Sequence, residues 1–359
     1  SKVVFLSRGS NLAPDPSSRD VGVFLRNVPA GTTVCTTPNP YGSYKMSACS
    51  EPAISPDGRY IAFTSDFNFD PAFPMSNPRV FVKDLLLGGY RLGSSPVSSN
   101  RTMNSGALSD GGRYLAFGSD STNLVSDPQN RLEAVYRVDL GQSTIARAYS
   151  DFARNLANGS PSASDPSDDG DWVALISSST NLVANEQSTA SKLFLTQMSA
   201  DVTHRLVGSL DPMGIVACQL NQRAGLVVFD AYPNGLVPGD NNGKLDVFVY
   251  RVASGQIQRI SLKSDGTSPA AGGSGGRLSG DGRYVVFSST DKLVPQDTNT
   301  FYDVYLHDLQ TGALSCVSRN AQGVAANSDS IARGISRDGR YVCFTSTASN
   351  LAGAGNGFG

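Results

Sequence analysis

The chain has 359 residues, a formal net charge of −2 and 17% charged side chains. Binding a nucleic-acid backbone requires a basic face, so this balance excludes nucleic acid as the main partner. No apolar run reaches the roughly 20 residues of a membrane-spanning helix, and Ser1-Lys2 leads almost at once into a strand, so any signal peptide is expected to have been removed.

In chain order, one strand-like run keeps recurring with a companion. SKVVFLS from Ser1 precedes VGVFLRNV from Val21, ISPDGRYIAFTS from Ile54 precedes RVFVKDL from Arg79, and LSDGGRYLAFGS from Leu108 precedes EAVYRVDL from Glu133. PSDDGDWVALIS from Pro166 precedes KLFLTQM from Lys192, and QRAGLVVFDA from Gln222, which lacks the acidic turn, precedes DVFVYRV from Asp246. LSGDGRYVVFSS from Leu278 precedes DVYLHDL from Asp303, and ISRDGRYVCFTS from Ile335 is the last copy. Anchored on Phe5, Phe63, Phe117, Leu175, Phe229, Phe287 and Phe344, the copies are spaced by 58, 54, 58, 54, 58 and 57 residues. A period of that size predicts a repeat architecture.

Each copy can be read physically. Ser, an acidic residue and Gly after an apolar residue are turn chemistry, because Gly supplies a positive φ and Ser or Asp side chains bond nearby amides. The strand that follows, Tyr60-Ile61-Ala62-Phe63 for instance, is apolar at odd and even positions and is expected to be buried on both faces. A polar loop, often SNL or NLV, leads to the second strand, and a turn such as Ser254-Gly255 or Thr311-Gly312 leads to a third, such as QIQRISL from Gln256 or ALSCVSR from Ala313. The fourth is the apolar segment entering the next acidic turn. Four strands per repeat without helical periodicity predict an all-β fold, a β-propeller of four-stranded blades. A single domain over 1-359 is expected, with blades near 1-37, 49-97, 104-149, 160-208, 215-262 and 274-318 and closing strands at 330-346. Six blades fit best, with seven as the alternative.

The series S-x-D-G-R-Y-x-x-F, then NLV, then D-V-[FY]-x-x-D-x-x-[TS]-G resembles the TolB-type (WD40-like) propeller repeat of bacterial envelope and secreted proteins. The resemblance covers nearly the whole chain, with altered turns between Asp165 and Asp230. For activity it implies interaction modules, lectin-like binders and enzyme accessory domains alike. A surface rich in Ser, Thr, Asn and Gly with few lysines points to the periplasm, cell surface or cell exterior.

Chemistry-bearing residues are sparse. None of the five cysteines has a metal-binding spacing, so zinc is not expected. A disulfide between Cys35 and Cys49, across the connection TTPNPYGSYKMSA, competes with five small buried thiols. GGSGG from Gly272 matches the nucleophile-elbow pattern, but no helix follows and only His204 and His307 could act as base, so Ser274 reads as a small residue near a crowded axis. The two histidines fall on outer strands of different blades, which disfavours a histidine metal site. Asp240, Asn242 and Asp246 recur as Asp297, Asn299 and Asp303, and in degraded form as Asp127, Gln129 and Glu133. Such oxygen-rich loops suit calcium, and Asx-turns explain the same residues. Sequons at Asn100 and Asn158 matter only in a glycosylating source. A sialidase is rejected because its turn motif has a different register.

Side chains of innermost strands converge near a propeller axis, so Glu51, Asp165, Gln219, Arg277 and Arg333 are the candidate ligand contacts, with simple hydration of a channel as the alternative. The central strand type occurs seven times and the other types six, so one central strand is surplus. In a six-bladed ring the segment Ile331 to Ile335 would close the first blade beside Val3 to Ser7. Either Ser1 to Ser7 or Tyr341 to Ser346 is then free to pair with another molecule, as a dimer or a filament, unless it is stapled to its own ring. Three functions follow: a non-enzymatic scaffold binding a protein or glycan, a self-assembling extracellular subunit, or a carbohydrate hydrolase or lyase using Glu51 with Asp165.

Overall fold

The structure, a computed structural model, describes residues 2–9, 12–13, 21–38, 49–67, 69, 78–94, 103–126, 133–148, 157–207, 214–221, 225–232 and 236–351. The chain is all-β, a propeller of six blades; among the described residues there is one single-turn 3-10 segment, at Asp110–Gly112. Among the described residues the first blade has three strands: β1 (Lys2–Ser7), β2 (Gly22–Asn27) and β3 (Thr32–Cys35).

Five four-stranded blades follow, each ordered as the chain runs. They are β4 (Cys49–Ile54), β5 (Tyr60–Ser65), β6 (Arg79–Asp84) and β7 (Tyr90–Leu92); β8 (Met103–Leu108), β9 (Tyr114–Ser119), β10 (Ala134–Asp139) and β11 (Thr144–Arg147). Next come β12 (Pro161–Pro166), β13 (Trp172–Ser177), β14 (Lys192–Gln197) and β15 (Val202–Val207), then β16 (Ile215–Leu220), β17 (Leu226–Ala231), β18 (Asp246–Arg251) and β19 (Gln256–Arg259). The last is β20 (Ser274–Leu278), β21 (Tyr284–Ser289), β22 (Asp303–Asp308) and β23 (Leu314–Cys316). The terminal strands β24 (Ser330–Ile335) and β25 (Val342–Ser346) pair with each other in a separate two-stranded sheet. This corrects the expectation that Ile331 to Ile335 closes the first blade: β24 satisfies its backbone on β25, the hairpin partner supplied by its own acidic turn.

The chain forms two compact units. One comprises Ser1–Val173, Thr180–Glu186 and Thr196–Thr203; the other comprises Ala174–Ser179, Gln187–Leu195 and His204–Gly359. In the first unit a core of Val23, Ile61, Phe63, Phe81 and Leu92 joins the first two blades. In the second, Val228, Val247, Leu278, Phe287 and Tyr305 do the same for the last two four-stranded blades.

Five of the seven central strands are buried on both faces, as their sequences require: Phe63, Phe117, Leu175, Phe229 and Phe287 are at most 1% exposed, whereas Phe5 on β1 and Phe344 on β25 are half-buried. Each such buried Phe stacks on the aromatic directly opposite on the second strand, as in Phe63 on Phe81, Phe117 on Tyr136, Phe229 on Phe248 and Phe287 on Tyr305, with centroids 5.4–6.0 Å apart.

Candidate functional site

The acidic turn is built by its own side chains. Ser55 Oγ donates to Asp57 Oδ1 (2.5 Å) and accepts from the Tyr60 amide (2.9 Å), while Asp57 Oδ1 also accepts from the Arg59 amide (3.0 Å). The Ser-Asp bond returns at Ser167-Asp169, Ser279-Asp281 and Ser336-Asp338. Arg59 then reaches Asp84 at the end of the second strand with two nitrogens, at 3.2 and 2.8 Å, and stacks over Tyr60. Arg113 with Asp139 and Arg283 with Asp308 repeat the clasp. These arginines hold Asp84, Asp139 and Asp308 below the usual carboxylate range. In the turn PSDDGDW the Arg is replaced by Asp171, which accepts from the Ser199 amide (2.7 Å) and Gln197 Nε2 (3.0 Å) instead.

The Gly and Tyr of the motif also meet between blades. A Cβ on Gly112 would lie 2.1 Å from Tyr60, and one on Gly170 would lie 2.4 Å from Tyr114. No larger residue leaves room for the ring, which explains the adjacent Asp-Gly and Tyr.

Several innermost strands carry a recurring bulge. Pairing shifts between Ser50 and Ala53 in β4, Ile215 and Ala217 in β16, Ser274 and Arg277 in β20, and Ala332 and Gly334 in β24. Bulges re-aim side chains, and Glu51 (φ 51°) and Arg333 lie within theirs and are exposed. In the second unit Gln219, Arg277 and Arg333 sit on successive innermost strands. Gln219 Oε1 accepts from the Leu278 amide (2.8 Å), Arg277 donates to Gly276 O (2.8 Å), and Arg333 donates to Thr345 Oγ1 (3.1 Å). In the first unit Glu51 on β4 and Asp165 on β12 lie on innermost strands of alternate blades, with β8 between them in strand order.

Sequence reasoning missed Asp230. Its carboxylate is buried behind the β20 bulge and accepts from the Gly275 (2.7 Å) and Gly276 (3.2 Å) amides, while burial pushes its pKa up. The GGSGG run is thereby explained without catalysis. A Cβ on Gly276 would meet Val247 at 2.7 Å, and one on Gly272 would meet Leu245 O at 2.1 Å. A signal was present in Asp230 itself, an acid inside an otherwise apolar strand.

The acidic loops are internally engaged. Arg259 lies between Asp240 (3.0 Å) and Asp246 (2.8 Å), and all three side chains are at most 4% exposed. Asn242 Nδ2 donates to Asp246 Oδ2 (3.0 Å) and Pro269 O (3.0 Å), and its Oδ1 accepts from the Lys244 amide, an Asx-turn. In the second copy Asn299 donates to Asp303 (2.7 Å) and Ala326 O (3.1 Å), and Cys316 stands where the first has Arg259. The donor missing there is supplied by Tyr305, whose hydroxyl bonds Asp297 where the first copy has Phe248. Among the described residues no group of three or more His, Cys, Asp or Glu is arranged to hold a metal ion. Asp127 and Gln129 lie outside the described residues, as does Asn100.

All five cysteines are free thiols, so the Cys35–Cys49 disulfide is not formed; the alternative of small, largely buried thiols holds. Burial pushes the Cys49 thiol up to about 11. His204 is exposed on β15 and His307 is half-buried on β22, with burial lowering its pKa. Asn158, the other sequon, is engaged by the Asn of the NLV motif: its amide donates to Asn181 Oδ1 (2.9 Å) and its Nδ2 to Thr180 Oγ1 (2.8 Å). Asn327 and Asn350 form the same clasp.

The sequence matches no protein-family model and no curated protein. Among solved structures, the chain is similar to a protein assigned as TolB from Agrobacterium tumefaciens, at 15% identity and a TM-score of 0.51, covering 89% of this chain and 95% of that one. It is also similar to an oligogalacturonate lyase in complex with manganese, at 12% identity and a TM-score of 0.57, covering 96% and 82%. A third likeness is to the β-propeller domain of the trilobed protease of Pyrococcus furiosus, described as having an open velcro topology, at 10% identity and a TM-score of 0.54, covering 84% and 78%. The shared fold is the β-propeller. Among these propellers are enzymes and a TolB-like protein alike, so fold carries no activity by itself. Among the described residues, no helix is long and apolar enough to cross a membrane.

Proposed function

We propose that this propeller is a binding module that engages a protein or glycan through its innermost strands, without chemistry of its own. One observation carries this reading. The turn, clasp and stacking positions repeat from blade to blade, whereas the residue before the last of each innermost strand reads Ala53, Ala107, Asp165, Gln219, Arg277 and Gly334. Positions that architecture dictates are uniform; a position that takes Ala twice and then Asp, Gln, Arg and Gly is free to suit a ligand. With Arg333 beside it in strand order, Arg277 favours an anionic group on that ligand, because guanidinium recognises carboxylates and sulfates by paired hydrogen bonds. The likeness to a TolB protein supports protein interaction, and the likeness to an oligogalacturonate lyase supports an acidic glycan as a first probe. A periplasmic or extracellular setting suits both. The acidic loops, calcium sites in one reading, enter this proposal as architecture.

A glycan array with wild type, Arg277→Ala and Arg333→Ala tests it. Binding to carboxylated or sulfated oligosaccharides, weakened about tenfold by either substitution, is expected. Turnover of a bound oligosaccharide, read by mass spectrometry, would replace this reading with the lyase or hydrolase.

A further inference from the structure

We infer that Asp230 is a positioning residue for the anion site of the innermost strands: from the neighbouring blade it holds the β20 bulge in the shape that presents the Arg277 guanidinium. This rests on the binding reading above and names the group that sets the geometry of that site.

Asp230 directly follows the Phe229 anchor on β17. The residues in the same place after the other anchors are Leu6, Thr64, Gly118, Ile176, Ser288 and Thr345, so Asp230 is the one acid in the series. On β21 the place ties one sheet to the next: Ser288 Oγ accepts from the Ala332 amide of β24 (2.8 Å). A neutral hydroxyl therefore suffices for that task. A buried carboxylate is costly to desolvate; burial raises the Asp230 pKa, and the two glycine amides and the Arg277 guanidinium act against that rise. What the carboxylate adds over a hydroxyl is a second acceptor oxygen. Oδ2 takes the Gly275 amide (2.7 Å) and Oδ1 takes the Gly276 amide (3.2 Å).

Two successive amides turned to one anion form a nest, which fixes the peptides of the bulge. Gly275 has φ 72°, and a Cβ on Gly276 would lie 2.9 Å from Val228 and 3.1 Å from Asp230 Oδ1, so the bulge lies close against β17. Arg277 comes next. Its guanidinium donates to Gly276 O (2.8 Å), the carbonyl of the residue whose amide Asp230 holds. On its other side the Leu278 amide donates to Gln219 Oε1 (2.8 Å), so Gln219 on β16 shares the supporting task. Three hydrogen bonds from β16 and β17 thus bracket Arg277. Arg333 is held separately, by Thr345 Oγ1 (3.1 Å) and through the Ser288 bond to Ala332 before it. Loss of Asp230 should therefore release one of the two arginines and leave the other.

Two readouts test this on the full chain. Arginine-selective isotope labelling and NMR follow the Arg277 Nε–H, assigned by its loss in Arg277→Lys, and calorimetry follows binding of a sulfated dextran oligosaccharide. The Arg277 signal is expected to be ordered in the wild type and averaged in Asp230→Ser, which copies Ser288, and in Gln219→Ala, with Arg333 unchanged. Asp230→Ser should weaken the oligosaccharide about tenfold, alone or with Arg333→Ala, and by less than about twofold in the Arg277→Ala background, because it acts through that side chain. An equal loss in both backgrounds makes Asp230 a general support of its blade and overturns the inference. So does an Arg277 signal that stays ordered in Asp230→Ser. Wild type that binds no oligosaccharide overturns the binding reading instead, and the Nε–H signals then decide by themselves whether Asp230 holds Arg277. Urea midpoints check that Asp230→Ser is folded, and Gln219→Ala keeps both readouts decisive if it is not.

Discussion

At the residue scale, the S-x-D-G-R-Y motif is one device with a separate task for each position. Ser and Asp close the turn, Gly accepts a φ that other residues resist and leaves room for a ring, Tyr supplies that ring, and Arg reaches the second strand. Gly112 has φ 63° and would place a Cβ 2.1 Å from Tyr60. Gly112→Ala is therefore expected to cost about 2–4 kcal/mol, read as a lower urea midpoint. The clasp also predicts a pH dependence. The Arg283 guanidinium holds Asp308 below its ordinary value, so its contribution is present above about pH 4 and is lost as pH falls through the folded value. Arg283→Gln should shrink the gap between urea midpoints at pH 7 and pH 3. Asp230 has the opposite sign: burial raises its pKa, so its contribution is greatest below the ordinary value and falls as pH rises through the folded one.

Arg259 is the residue on which the acidic loop depends. Removing it leaves Asp240 and Asp246 buried without their counter-charge, and Arg259→Met is expected to cost about 3–5 kcal/mol. Because the guanidinium supplies the cation in this loop, and Asn299 and Tyr305 bond the carboxylates of the second loop, the melting temperature of the wild type should not change between EDTA and millimolar calcium. A rise with calcium would show that these loops bind it.

At the scale of the element, a central strand is worth what its neighbours cover. Phe287 is enclosed by β20, β22 and the adjoining blade, so Phe287→Ala should cost about 3–5 kcal/mol. Phe344 packs one face against Val286 and Val304 and lacks a second-strand ring, so Phe344→Ala should cost well under half of that in the same denaturation assay. Equal costs would mean that the β25 edge is covered in solution. The repeated motif makes all seven central strands look alike in sequence; their different burial arises from how many strands flank each one.

At the scale of the molecule, two compact units carry one repeated plan. The free thiols bear directly on compartment. Titration in denaturant without reductant should return five thiols, and native alkylation at pH 8 should leave Cys49 unlabelled because burial raises its pKa to about 11. Three thiols would instead show one disulfide, and peptide mapping would test whether it joins Cys35 to Cys49.

Strand positions, turns and doubly buried anchors were legible in the chain because they depend on contacts a few residues apart: Gly and Ser-Asp at the turn, apolar groups on both faces after it. The partner Asp84 for Arg59 was foreshadowed by the aspartate that ends three of the six second strands, Asp84, Asp139 and Asp308. The guanidinium between Asp240 and Asp246, the Asp230 nest on the Gly275 and Gly276 amides, the clasp of Asn158 with Asn181, and the choice of β25 rather than β1 for β24 were not. Each of the three side-chain pairings joins groups 13 or more residues apart, and in Asp230 with Gly275, 45. Such pairings depend on which blades pack together, and only the tertiary structure decides that.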